Sequence, residues 1–228
     1  MQPYLFPYLG YFDLIRSVDK FVIYDDVNYI NRGWINRNRI LVNGEPYMFT
    51  LPLKNASQNK KIFDISISDN YQDWKRKFMK TLSNNYTKAD NFDECYRLID
   101  ELLSYETTNI SNFLTNSIKS LSEYLDIKTE IVESSSYYKN QELKSYSRII
   151  NICEKEGANI YVNAIGGKEL YNAEDFDTKG IKLRFMEERE YVYYQHNKSF
   201  YSNLSIIDAL MFNDKHTIIE KFFKEKKL

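Results

Sequence analysis

Only two cysteines, two histidines, four prolines and seven glycines occur among the 228 residues. Cys95 and Cys153 are too few for a disulfide framework and sit in apolar helical contexts. Buried free thiols are expected, with a disulfide or a nucleophile as the alternatives. His196 and His216 have no third histidine and no local carboxylate pattern, so no metal site is expected. No G-x-S-x-G elbow supports a Ser-His-Asp triad. No apolar run approaches the roughly 18 residues of a membrane span. The start lacks a basic region followed by a long hydrophobic core, so a signal peptide is not expected. Charge of one sign is not in excess either. A formal net charge of −1 gives no overall basic field to draw nucleic acid or an acidic membrane. These absences predict a cytoplasmic protein of a reducing compartment, with no nucleic-acid partner and no membrane span.

The few prolines and glycines are unevenly placed. All four prolines and three of the seven glycines fall within the opening 52 residues, and seven aromatics fall within the first 24. Pro3 and Pro7 fix φ and remove donors, so residues 2 to 8 are neither an ordinary helix nor a central strand. Residues 1 to 6 read as the end of a short strand entering a loop. A helix is expected over 10–19, with Phe12, Leu14 and Ile15 inward, and a fully buried strand over 20–25. Asn43-Gly44 predicts a hairpin turn, and IFDISI at 62–67 alternates as a strand. Apolar stripes through Trp74, Phe78 and Leu82, through Phe92 to Leu103, and through Ile110 to Leu125 predict three helices.

A strand is expected again at 128–133, followed by the serine run Ser134 to Ser136. A helix over 145–156 stopped by Gly157 comes next, then strands NIYVNAI and GIKLRF. Ser205 with Asp208 suggests a capping box, Asp214 a cap for the last helix, and KEKKL a basic helix end. Strand and helix alternate at both ends. That order predicts an α/β fold: a Rossmann-like, doubly wound, mainly parallel sheet in one domain over 1–228. A β-hairpin insertion over about 36–68 and a helical insertion over about 70–126 complete it. In such sheets ligands bind at the carboxyl ends of strands. Here those ends are the polar and glycine-rich segments, which makes them the candidate cleft.

Asp25 and Asp26 end the buried strand on opposite faces. One could serve as a general base or hold a metal; the plain alternative is a pair of solvated loop caps. Arg32, Arg37 and Arg39 lie within eight residues, interleaved with Asn31, Asn36, Asn38 and Trp34. Such a cluster suits phosphate or carboxylate, or is an exposed hairpin edge. Gly166-Gly167 follows a strand and could cradle an anion with backbone N–H groups, or simply make a turn. Arg148, one helical turn past the serine loop, could reach the same cleft or make a surface ion pair.

The segments MQPYLFPYLGYF, FVIYDDVNYINRGWINRNRI, SRIINICEKEGANIYVNAIGGKELY and LSIIDALMFN together resemble the WbqC-like protein family, nearly end to end. The resemblance implies a cytoplasmic enzyme acting on sugar precursors of O-antigen and other bacterial surface polysaccharides. Its motif positions are Gln2, Pro3, Gly10, Tyr11, Phe12, Asp25, Asp26, Arg37, Asn38, Arg148, Gly166, Gly167, Tyr171, Gln195 and Asp208. The P-x-x-G-Y-F turn is also similar in layout to nucleotidylyltransferases and pantoate ligases. Those carry H-x-G-H where this chain has Tyr8 and Tyr11 around Gly10, which counts against adenylyl or cytidylyl transfer.

The expected activity is acyl or aminoacyl transfer onto a nucleotide-linked amino sugar. Asp25, Asp26 and Arg37 are the expected catalytic residues. Gln2, Tyr11, Arg32, Asn38, Arg148, Gly166, Gly167 and Gln195 are expected to bind substrate. The alternatives are a ligase-like enzyme using ATP or CTP, and a non-catalytic binding protein of the assembly machinery. The sequence assigns no cofactor. Twenty Tyr and 14 Phe would suit the buried face of a homodimer.

Overall fold

The structure is a computed structural model that describes residues 1–187, 189–197 and 199–223; the basic end KEKKL lies outside them. Helix α1 (Leu9–Ser17) follows Pro7 and buries Leu9, Tyr11, Phe12, Leu14 and Ile15, the face predicted and more. Strand β1 (Lys20–Val22) comes next. Strands β2 (Arg37–Val42) and β3 (Glu45–Thr50) form the hairpin, with Val42 opposite Glu45. Asn43 and Gly44 both have positive φ, +53° and +79°, as an Asn-Gly two-residue turn requires.

Two short strands, β4 (Leu53–Lys54) and β5 (Ser66–Ile67), pair antiparallel. Only the end of IFDISI is therefore strand. Ile62–Asp64 is a 3-10 turn that buries Ile62 and Ile65, three residues apart, because its N–H groups go to the carbonyls of Val27 and Asp25.

The middle is helical as predicted: α2 (Tyr71–Tyr86), α3 (Phe92–Leu103) and α4 (Ile110–Tyr124), the last capped by Asn109. Strand β6 (Glu130–Val132), helix α5 (Ser145–Lys155), strand β7 (Ile160–Asn163), helix α6 (Ala173–Asp177) and strand β8 (Lys182–Phe185) follow. Helices α7 (Ile206–Phe212) and α8 (Lys215–Phe222) complete the described chain, and Asp214 caps α8 through the Thr217 N–H at 2.7 Å. Ser205 caps α7. Asp208 does not close a capping box; its carboxylate turns inward to Tyr86, Tyr193 and Gln195.

The architecture is mixed α/β. Its strands pair two by two: β1 with β6 and β7 with β8 in parallel, β2 with β3 and β4 with β5 antiparallel. The expected continuous doubly wound sheet is not assembled from these strands. β1 and β6 are three residues long, and a cavity lies between β1 and β7 where a ladder would be. On that side of β1 the Met1 amine donates to the Val22 carbonyl and the Met1 carbonyl accepts from the Tyr24 N–H, both at 2.7 Å. This is the pattern of a parallel neighbour. The main core runs from α1 through α4 and α7, while Ile150, Cys153, Phe176 and Ile181 form a smaller one under β7 and β8.

Candidate functional site

A cavity of about 1030 Å³ is lined by residues along the length of β1 and β7 and past their carboxyl ends. Its lining brings together Gln2, Pro3, Tyr4 and Tyr8, then Tyr24, then Gly33 and Trp34, then Asn163, Gly166, Gly167 and Tyr171. These segments lie far apart in the chain. The first of them is held by hydrogen bonds against backbone strain. Phe6 is left-handed, with φ +43°, a conformation unfavourable for a bulky side chain. The Asn38 amide donates to the carbonyls of Leu5 (3.0 Å) and Phe6 (2.6 Å), and the Ser205 hydroxyl donates to Phe6 at 2.8 Å. Tyr11, which also lines the cavity, donates its hydroxyl to the Gln2 carbonyl at 2.9 Å. Gly10 is required beside this turn, since a Cβ there would lie 2.5 Å from the Tyr8 ring.

Trp34 stands half-exposed with two arginines near its ring. The Arg37 and Arg39 guanidinium carbons lie 5.8 and 5.6 Å from its ring centroid. Arg37 Nε also donates to the Gly33 carbonyl at 2.7 Å, so the cation is fixed against the two residues that line the cavity. Arg39 Nη2 reaches the Asn203 carbonyl at 3.4 Å, and its buried Nε finds no hydrogen-bond partner among the described residues. Arg32 is exposed in the loop just before Gly33, with φ +59°.

Asp25 and Asp26 are both buried, and neither lines the cavity. Asp25 accepts from the hydroxyls of Ser111 on α4 (2.6 Å) and Ser134 (2.7 Å) and from the Ser135 N–H (3.2 Å). Asp26 accepts from the Ser135 hydroxyl and the Arg148 guanidinium. Arg148 is buried, donates through Nε to Asn140 at 3.0 Å, and lies 4.9 Å over the Tyr24 ring. A buried ion pair thus joins the end of β1 to α5, with the remaining lone pairs satisfied by serines. The alternatives of a surface ion pair for Arg148 and of solvated caps for Asp25 and Asp26 are both replaced by this network.

Gly166 and Gly167 sit in a 3-10 turn, Ile165–Leu170, rather than at the start of an α-helix. The Gly167 N–H is already bonded to the Ala164 carbonyl at 2.9 Å. A Cβ on Gly167 would come within 2.6 Å of Asn163 Nδ2, so glycine here is a demand of close approach.

Of the expected site residues, the structure brings Gln2, Tyr11, Gly166 and Gly167 to one cavity and places Arg37 and Arg32 beside it. Asn38 is wholly buried as the support of the first turn. Gln195 is buried elsewhere: it donates to Asp208 at 3.0 Å and to the Tyr201 carbonyl at 2.9 Å. Asp208, which also accepts from Tyr86 and Tyr193 at 2.7 Å each, has its pKa pushed up to about 6 by burial. Sequence reasoning passed over Tyr4, Tyr8, Tyr24 and Asn163 as cavity walls and named Tyr171 only as a motif position of the family resemblance. The density of rings near Pro3 and Pro7 was the available signal. Both cysteines are buried free thiols, and burial raises their pKa, that of Cys153 to about 11. Among the described residues no group of three His, Cys, Asp or Glu could hold a metal ion, and no helix is long and apolar enough to cross a membrane.

A family model described as "WbqC-like protein family" matches residues 2–220. A protein of Mycobacterium tuberculosis with the curated name "Uncharacterized protein Rv1507c" is 31% identical over 218 residues, covering 93% of this chain and 91% of that protein. No solved structure matches.

Proposed function

The chain belongs to the WbqC-like protein family, and from that premise we propose that it is a cytoplasmic transferase of bacterial surface polysaccharide (O-antigen) precursor synthesis. It moves an acyl or aminoacyl group onto a nucleotide-linked amino sugar. The observation that carries this reading is convergence. The turn at Gln2 to Tyr8, the Gly33-Trp34 loop and the Asn163 to Tyr171 loop share one cavity, large and ring-lined enough for a nucleotide sugar.

Each wall has a part. Trp34 offers a face for a base or sugar ring. Arg37 and Arg39 beside it supply charge for a diphosphate. Gln2, Asn163, the tyrosine hydroxyls and the Gly166 backbone are neutral groups that orient and polarise. That is what transfer from an already activated donor needs. Asp25 and Asp26 are committed to the serines and Arg148, so their part is to fix Tyr24 and the end of β1 rather than to accept a proton.

Thermal-shift screening against nucleotide sugars, CoA thioesters, ATP and CTP tests the reading, because a ligand selective for the native state raises apparent stability. A nucleotide sugar should raise Tm. Arg37→Ala should weaken that binding by about 2 kcal/mol, roughly 30-fold. Stabilisation by ATP or CTP with pyrophosphate release, and none by nucleotide sugars, would replace it with the ligase reading.

A further inference from the structure

The walls of the cavity carry charge unevenly. One group gathers round Trp34. The Tyr4 ring lies 6.0 Å from it, and Arg37 and Arg39 are the cations near its ring. Among the described residues no carboxylate pairs with either arginine, so this group is net positive. A second group is neutral. Tyr24, Tyr161 and Tyr171 line the cavity together with Asn163. Arg148 lies 4.9 Å over the Tyr24 ring, but Asp26 matches its charge in the buried pair. Burial raises the pKa of the Tyr24 and Tyr161 phenols; Arg148 offsets part of the rise at Tyr24, and Tyr171 adds to it at both. The polar groups facing Tyr24 are Arg148, Asp26 and Tyr171, while those facing Tyr4 are Tyr8 and Arg39. The two sets share no member. Tyr161 stacks on the wholly buried Phe176, 5.4 Å between centroids, and meets Tyr171 edge-on at 5.8 Å. These rings are therefore in place before any ligand arrives.

We propose that Tyr24, Tyr161, Tyr171 and Asn163 form the subsite for the sugar ring of a nucleotide-linked amino sugar, and that Trp34, Arg37 and Arg39 take its base and diphosphate. The inference rests on the transferase reading and adds which end of the ligand each group of walls holds. Charge complementarity decides the assignment. A diphosphate gains most from guanidinium groups that no carboxylate has claimed, and little beside a cation already neutralised. The sugar ring is uncharged once its amine is in the free-base form that attacks an acyl group. Its hydroxyls both donate and accept, and so do phenol hydroxyls and a carboxamide. The flat tyrosine faces add apolar contact for the C–H side of the ring.

The test is calorimetric titration of the full chain with UDP, dTDP and GDP, and with amino sugars linked to the same nucleotides. Tyr24→Phe and Tyr171→Phe each remove one hydroxyl and keep the ring. Each is expected to weaken binding of the nucleotide-linked amino sugar about tenfold and to leave the bare nucleoside diphosphate within about twofold. A selective loss in either variant supports the subsite. Equal weakening of both ligands, or no weakening of either, in both variants overturns the subsite and leaves the transferase reading standing. Thermal scans check that each variant is folded, and where one is not, the other decides. Binding of none of these ligands to the unaltered chain overturns the transferase reading, and the subsite falls with it.

Discussion

At the scale of single residues, the molecule spends its buried carboxylates on holding segments together. Asp208 is wholly buried and takes three donors, from Tyr86, Tyr193 and Gln195. Its folded-state pKa, raised from 3.8 to about 6, means that the native state binds the extra proton between those values. Stability contributed through this site is therefore highest at low pH and falls as pH rises from about 4 through about 6, by on the order of 2 to 3 kcal/mol. Urea titrations of the wild type and Asp208→Asn across that window check this. The variant should be less stable, because an amide N–H would face the Tyr86 hydroxyl, and its stability should lose that downward component. An identical pH slope in both proteins would remove Asp208 as its source. None of this was legible in the sequence. Ser205 and Asp208 have the spacing of a capping box, and only the fold reveals that the carboxylate has better partners inside.

Among the elements, the helices were readable because their stripes repeat over many turns. α4 buries Ile110, Phe113, Leu114, Ile118 and Leu121 as the 3.6-residue period requires. The Asn43-Gly44 hairpin was readable because its turn chemistry is local. IFDISI was misread because six residues of alternation are too few to separate a strand from a 3-10 turn whose isoleucines share a face. Long-range polar pairing was hidden too. Arg148 on α5 and Asp26 after β1 are 122 residues apart in sequence and form one buried pair. Arg148→Ala leaves Asp26 buried without its cation, and chemical denaturation should show a loss of about 3 to 5 kcal/mol. Loss of less than about 1 kcal/mol, the range of surface pairs, would show that the pair is solvated.

For the whole molecule, the sequence pointed to convergence of polar strand ends. The cavity joins the Gln2, Tyr24, Gly33-Trp34 and Gly166-Gly167 segments in one lining. The readable part was the list of segments, since glycine, proline and polar runs mark strand ends. The roles inside each segment were not readable, because they depend on what each side chain meets. Asn38 and Gln195 became supports, while Tyr4, Tyr24 and Asn163 became walls. The continuous sheet was expected from the order of strand and helix alone. Order does not say whether the central edges of β1 and β7 come close enough to pair.

The most direct test of the account is a nucleotide-sugar titration followed by NMR, watching the Trp34 indole N–H and the Gly166 and Gly167 amides together. The account predicts that all three shift with one common midpoint, and that Arg37→Ala moves that midpoint for all of them to higher ligand concentration. Saturable binding that leaves the glycine amides unmoved while Trp34 responds, or that leaves both segments unmoved, would contradict it.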